Sequence, residues 1–169
     1  MSLKQQIKQD INNAMKERKE IVVSALRMLY NSLINREKEK RVKIAEKEKD
    51  LKEDELIKKS QLTDEEIVDA VFSEIKKRKE AILEFEKGGR KELAEKEKRE
   101  IEVLKKYLPE QLSEEEIEKI ARQVVKEVEA VSIKDMGKVM GRLMPKIKGK
   151  AEGGLVSKIV KEILSQKTQ

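Results

Sequence analysis

Neither cysteine nor histidine occurs anywhere in the 169 residues of the chain. Without cysteine there is no disulfide frame, no thiolate nucleophile and no sulfur ligand for a metal. Without histidine the usual general base near neutral pH is missing, which excludes Ser-His and Cys-His nucleophile pairs and imidazole-based zinc or iron sites. A carboxylate-only Mg²⁺ site or a catalytic buried lysine stays open, but no carboxylate cluster stands out among the 34 acids. We therefore expect no catalytic residue, no cofactor and no metal site in this chain.

Aromatic side chains are also scarce, and tryptophan is absent. The four aromatic residues are Tyr30, Phe72, Phe85 and Tyr107, and we expect them to pack in a core. From Leu108 onward there is no aromatic side chain to stack on a base, although aromatic stacking is how proteins usually hold single-stranded nucleic acid. If the C-terminal part binds nucleic acid, its contacts should be to phosphates and 2′-hydroxyls of a folded RNA.

Long apolar runs are missing as well. None approaches the about 18 residues of a membrane span, and the N-terminus shows no apolar signal core, so we expect a cytoplasmic protein. The chain is instead rich in charge, with 44% Asp, Glu, Lys and Arg and a formal net charge of +6. Lysine and glutamate alternate, which is typical of long solvated helices. The predicted fold class is all-α.

The pattern of apolar residues predicts an antiparallel helical bundle over residues 1–108. Helix starts are indicated at Ser2, at Glu20, at the capping box of Thr63 and Glu66, and at Arg90. The apolar pattern thins over residues 36–60, where we expect a projecting charged helical arm or a partly frayed connection. Pro109 ends the fourth helix of the bundle.

A smaller subdomain of three helices is predicted over residues 109–169. The capping pairs Ser113/Glu116 and Ser132/Asp135 mark the starts of its first two helices. Met144-Pro145 should end the second helix, and Gly153-Gly154 should begin the third. Five of the seven glycines of the chain lie in this subdomain. The stretch from Lys134 to Lys161 carries eight basic residues against two acids, a surplus equal to the charge of the whole protein. Such a local surplus indicates an anionic partner.

Helical spacing sorts the basic segment onto separate faces. Lys134, Lys138 and Arg142 recur at steps of four, opposite an apolar arc formed by Met136, Val139, Met140 and Leu143. Gly137 and Gly141 lie in the strip between. Each glycine costs about 1 kcal/mol relative to alanine inside a helix. Two explanations are open: a neighbouring helix packs closely there, or the backbone of a ligand does.

A loop with the sequence KIKGKAEGG follows, containing Lys146, Lys148 and Lys150. We expect it to be flexible. Backbone N–H groups at the start of the last helix could join these lysines in holding a phosphate, although a plain surface loop accounts for the same composition. The G-x-x-x-x-G-K-[ST] spacing of a Walker loop is missing, so nucleotide hydrolysis is not indicated.

Four stretches taken together resemble the GatB/YqeY family. They are LRMLYNSL from Leu26, EIKKRKEAILEFEKGG from Glu74, YLPEQLSEEEI from Tyr107 and DMGKVMGRLMPKIKGKAEGG from Asp135. The resemblance implies an N-terminal helical bundle and a small C-terminal three-helix unit. Residues 38–60 are longer than the family's usual connection between its second and third helices.

The resemblance also has implications for function. A related module ends the GatB subunit of the tRNA-dependent amidotransferase and helps to hold tRNA there, and this chain is similar to that module standing alone. The expected partners are tRNA or another structured RNA, and an amidotransferase or an aminoacyl-tRNA synthetase. Carbon–nitrogen ligase activity does not follow, because the catalytic domain of that enzyme is not in the sequence. The residues expected to contact RNA are Lys134, Lys138, Arg142, Lys146, Lys148, Gly149, Lys150 and Lys158.

A second hypothesis of a different class remains open. Met136, Met140 and Met144, at steps of four, would form an adaptable apolar surface for a partner helix, which makes the chain a protein interaction module. Packing in the core of the small subdomain is the alternative explanation for these methionines.

Overall fold

The computed structural model describes residues 1–167, and these residues form an all-α fold, as the sequence predicts. The helices are α1 (Leu3–Lys16), α2 (Glu20–Lys47), α3 (Glu53–Lys59), α4 (Asp64–Lys87), α5 (Lys91–Lys105), α6 (Glu114–Glu127), α7 (Met136–Ile147) and α8 (Gly153–Lys167), with a 3-10 helix, Ile133–Asp135, before α7. None of these helices is long and apolar enough to cross a membrane. The chain divides into two compact units, Met1–Tyr107 and the residues from Leu108 onward, one residue before the predicted boundary.

In the first unit α1 and α4 begin where the capping signals predict. The Thr63 hydroxyl accepts a hydrogen bond from the N–H of Glu66 at 3.2 Å, which opens α4. The fully buried side chains of this unit include Ile7, Leu26, Leu29, Leu33, Ile67 and Leu104. Leu93 is 38% exposed, because its neighbour Ala94 occupies the core position of α5.

The charged segment of residues 36–60 is helical, but it is not a single arm. α2 continues through its first half, and α3 returns against α2. The Lys40 ammonium donates to the Glu66 carboxylate at 2.8 Å, and the Arg41 guanidinium donates to the fully buried Ser60 hydroxyl at 3.2 Å. The periodicity of apolar residues did not reveal this packing because polar side chains provide these anchors.

A cluster of buried charges joins α2, α4 and α5. The Arg78 guanidinium donates to Glu74 at 3.0 Å and to Glu100 at 3.1 Å, and the Ser24 hydroxyl donates to Glu100 at 2.9 Å. Arg78, Glu74 and Glu100 are each less than 5% exposed. A third carboxylate, that of Glu97, lies 3.9 Å from the guanidinium. One arginine therefore pairs with several carboxylates in the first unit, and Lys77 supplies a second cation to Glu74 at 2.8 Å.

The ionisation of these carboxyl groups reflects their surroundings. Burial acts to raise the pKa of Glu74, but the ion pairs with Lys77 and Arg78 outweigh it and hold that pKa below its usual value. Burial and the neighbouring charge of Glu100 raise the pKa of Glu97. The sequence contains a signal for this cluster, because Glu74 and Arg78 lie on the same helical face as the core residues of α4.

The second unit has a core of its own, built from α6, α7 and α8. Its fully buried side chains are Ile117, Ala121, Val124, Val139, Leu143, Ile147, Val156, Val160 and Leu164. The Ser113 hydroxyl caps α6 as predicted, accepting from the N–H of Glu116 at 3.2 Å. Asp135 accepts from the N–H of Ser132 at 3.0 Å, and this predicted cap opens a 3-10 turn that leads into α7.

α7 does not close at Met144-Pro145 as the sequence suggested. Pro145 lies inside the helix, which continues to Ile147. An interior proline costs about 3 kcal/mol, because it removes a backbone hydrogen bond and crowds the carbonyl four residues earlier. Ile147 is fully buried, and burying an isoleucine side chain is worth about 1.5–3 kcal/mol. Core packing of the last turn thus offsets the cost of the ring.

We predict that Arg78→Met destabilises the protein by about 3–5 kcal/mol, because it leaves the buried Glu100 carboxylate without its cation. Urea unfolding measures the change. Lys87→Met is the matched control, since Lys87 pairs with Glu84 where both side chains are more than 70% exposed; its loss should stay below about 1 kcal/mol. Equal losses for the two variants would contradict a structural role for the buried cluster.

Candidate functional site

The outward face of α7 carries a row of exposed cations. Lys138, Arg142 and Lys146 follow one another at steps of four residues, and Lys134 precedes them in the 3-10 turn. Four residues correspond to a rise of about 6 Å along an α-helix. The opposite face of α7 is buried in the core, so the four side chains are directed to solvent. We call these four residues the cation row.

Beside the cation row runs a strip without side chains. A Cβ built on Gly137 or on Gly141 would meet open space. The hypothesis that a neighbouring helix packs closely against these glycines is therefore wrong for the residues that the structure describes. Both positions are exposed, just outside the arc that enters the core. The other explanation offered by the sequence, the approach of a ligand, stays a prediction.

An open depression of about 660 Å³ adjoins the cation row. Its lining residues are Lys138, Arg142 and Lys146 from α7, and Glu127, Val128 and Glu129 from the end of α6 and the turn after it. The Lys146 ammonium donates to both oxygens of Glu127, at 3.0 and 3.2 Å, and the Arg142 Nε lies 4.0 Å from the same carboxylate. The depression thus has a cationic side and an acidic rim.

The hydrogen bond from Lys146 holds the pKa of the Glu127 carboxyl below its usual value. Glu127 is therefore ionised at neutral pH, and Lys146 faces a full negative charge in the free protein.

The basic loop after α7 is held in place by the segment that precedes α6. It spans residues 148–152. The Gln111 side-chain amide donates to the carbonyl of Gly149 at 2.9 Å, and the N–H of Leu112 donates to the carbonyl of Lys150 at 2.8 Å. Gly149 has a φ of +76°, which glycine adopts without strain. Two hydrogen bonds thus anchor the backbone of the loop that the sequence predicts to be flexible.

The structure brings together some of the eight residues predicted to bind RNA and separates others. Lys138, Arg142 and Lys146 line the depression, and Lys134 lies just before α7. Lys148, Gly149 and Lys150 belong to the loop, and Lys158 is on α8. The last residue is exposed but does not line the depression. The cation row and the loop form the candidate site.

The methionines of α7 lie on the other side of the helix. Met136, Met140 and Met144 are partly buried and pack against the core of the second unit. Core packing therefore accounts for their spacing, which weighs against a free methionine surface for a partner helix.

The acidic rim of the depression was missed by the sequence reasoning. Glu127 is the last residue of α6, where the negative end of the helix dipole disfavours an acid. Glu129 follows with a φ of +54°, a conformation usually taken by glycine after a helix. Two acids in such positions were a usable signal that cations face them in the fold.

The chemistry offered by this site is the binding of an anion. Ammonium and guanidinium groups converge beside an exposed helix backbone, and the lining of the depression contains neither a hydroxyl nor a thiol. Within residues 1–167 there is no group of three or more acids that could hold a metal ion.

Comparison with protein families agrees with the resemblance noted in the sequence. The family model described as Yqey-like protein matches residues 47–164, which is more than half of the chain. The matched region includes the stretches from Glu74, Tyr107 and Asp135, whereas LRMLYNSL lies before it. No curated protein matches the chain in a sequence search. The extent of the family match shows that the chain belongs to the YqeY-like protein family.

Proposed function

We propose that this YqeY-like protein binds tRNA or another structured RNA through the cation row and the loop after α7. The chain acts as a binding module without a catalytic site of its own. The observation that carries the proposal is the presentation of the cation row: exposed charges at regular spacing on a helix whose other face is buried. Phosphate contacts of this kind supply most of the affinity in nucleic-acid binding that does not depend on sequence.

The strip of Gly137 and Gly141 supports the same partner. With no side chains beside the cation row, a sugar-phosphate strand can approach the α7 backbone closely. Packing does not require these glycines, because alanine would fit at both positions and would favour the helix by about 1 kcal/mol each. A higher affinity for RNA, from closer contact with the α7 backbone, is a physical reason for having glycine at these two positions.

The choice of a folded RNA follows from the side chains available. The second unit contains no aromatic residue or histidine, so the aromatic stacking by which proteins usually hold splayed single-stranded bases is missing there. The proposal of tRNA in particular rests on the similarity to the module at the end of the GatB subunit. A link to amidotransferase metabolism, with that enzyme or an aminoacyl-tRNA synthetase as partner, is part of the proposal on the same ground, which is an analogy between related modules.

The affinity for RNA should depend strongly on salt. With about 4 to 6 phosphate contacts, the logarithm of the association constant should fall with the logarithm of salt concentration at a slope of about −3 to −5. Fluorescence titrations with labelled total tRNA, from low to physiological salt, measure this slope. A single-stranded poly(A) of equal length should bind more weakly. A flat salt dependence, or no tRNA binding at low salt, would contradict the proposal.

Reversing the first three charges of the cation row should abolish most of the binding. Because each phosphate contact contributes roughly a factor of ten at 0.1 M salt, the triple change Lys134→Glu, Lys138→Glu and Arg142→Glu should weaken tRNA binding by about a hundredfold or more. The matched control places the same charge change on the exposed side of α6, at Lys119, Arg122 and Lys126. Similar losses for both variants would show that net charge matters and the site does not.

Filling the glycine strip should separate stability from binding. Gly137→Ala with Gly141→Ala should raise the free energy of unfolding by up to about 2 kcal/mol, since both positions are helical and open. The same variant should bind tRNA more weakly, because two methyl groups hold the strand away from α7. Gln166→Ala, at an exposed position of α8, serves as the control for binding. A stabilised variant with unchanged affinity would exclude close approach of the RNA to the strip.

A further inference from the structure

Within the cation row, Lys146 and Arg142 both lie within ion-pair distance of one carboxylate of the protein itself, that of Glu127. Glu127 accepts from Lys146 at 3.0 and 3.2 Å, and the Arg142 Nε lies 4.0 Å away. The Gln123 amide also donates to Glu127, at 3.2 Å. The two oxygens of a carboxylate present the same kind of acceptor to an ammonium as the oxygens of a phosphate. Glu127 thus occupies the place that an anion would take beside Lys146.

Within α6 the helix dipole opposes this carboxylate, although the Gln123 amide donates to it. Glu127 ends the helix, where the dipole disfavours negative charge. The Glu127 side chain is about one third exposed, and so is that of Lys146, so the pair is accessible to solvent and to a ligand. An exposed pair of this kind is weak enough to be broken by a competing anion. The depression around it, about 660 Å³, has room for a phosphate group.

We infer that Glu127 is an intramolecular competitor for the RNA-binding site, which keeps Lys146 and Arg142 paired until adjacent phosphates displace it. The inference rests on the proposed function. A single small anion would have to break the ion pair of Lys146 with Glu127 and would gain only one contact in return. A polyanion already held by Lys134 and Lys138 delivers its next phosphate to Lys146 at high local concentration, so the second step is favourable. Glu127 therefore makes the site selective for a run of phosphates.

Removing the competing charge should strengthen RNA binding. Glu127→Gln keeps the size and polarity of the side chain, and it should raise the affinity for total tRNA about three- to fivefold at low salt, the range that loss of one exposed ion pair allows. The salt slope should become steeper by up to about one unit, because one more phosphate is neutralised. Inorganic phosphate should also compete with tRNA more effectively in this variant than in the wild type.

The matched control is Glu118→Gln, which removes an equal charge from the same helix. Glu118 pairs with Arg122 at 2.6 Å, and its side chain is 46% exposed, so a change there alters net charge without touching the cation row. The affinity of this variant should stay close to that of the wild type. An equal gain for both variants would overturn the inference, since long-range charge would then explain it.

A double-mutant cycle tests whether Glu127 acts through its partners. In a background of Lys146→Gln and Arg142→Gln, the change Glu127→Gln should no longer raise the affinity. A gain in affinity that persists in this background would overturn the inference. So would equal tRNA affinities of the wild type and the Glu127→Gln variant. Both results leave the proposed function standing. A folded wild type that does not bind tRNA at low salt would overturn both proposals together. Circular dichroism melting of each variant confirms that the fold is intact.

Discussion

The burial of Val139, Leu143 and Ile147 between α6 and α8 determines how the second unit presents its charges. Each of these side chains has no exposed surface, and burying each one is worth about 1.5–3 kcal/mol. Rotating α7 to hide its basic residues would expose all three. The angular positions of side chains on a helix are fixed relative to one another, so apolar packing on one face forces the cation row and the glycine strip to the surface.

The protein uses charge in two physically different ways. In the first unit, Arg78 lies in the interior, and removing it would leave Glu100 buried without a cation. In the second unit, the pair of Lys146 with Glu127 lies at the surface, where water screens it and little stability depends on it. The buried cluster therefore serves the fold, whereas the exposed pair is available for exchange with a ligand.

Much of the fold was predictable because its determinants are local. Capping pairs such as Thr63 with Glu66 act within one turn, and the helices begin where those pairs stand. The predictions failed where burial overrides local preference. α7 passes through Pro145 because the core takes up Ile147, and the charged segment of residues 36–60 packs by polar contacts that a count of apolar residues does not register.

The sequence by itself determined the chemical inventory of the site and the division of α7 into faces, since both depend only on residue types and helical spacing. It also determined the family, through stretches whose order and spacing match. Only the tertiary structure decided that Gly137 and Gly141 meet open space, and that Lys146 faces Glu127, 19 residues earlier in the chain. Such contacts join different helices, and their geometry depends on how the whole core packs, which no local pattern of residues specifies.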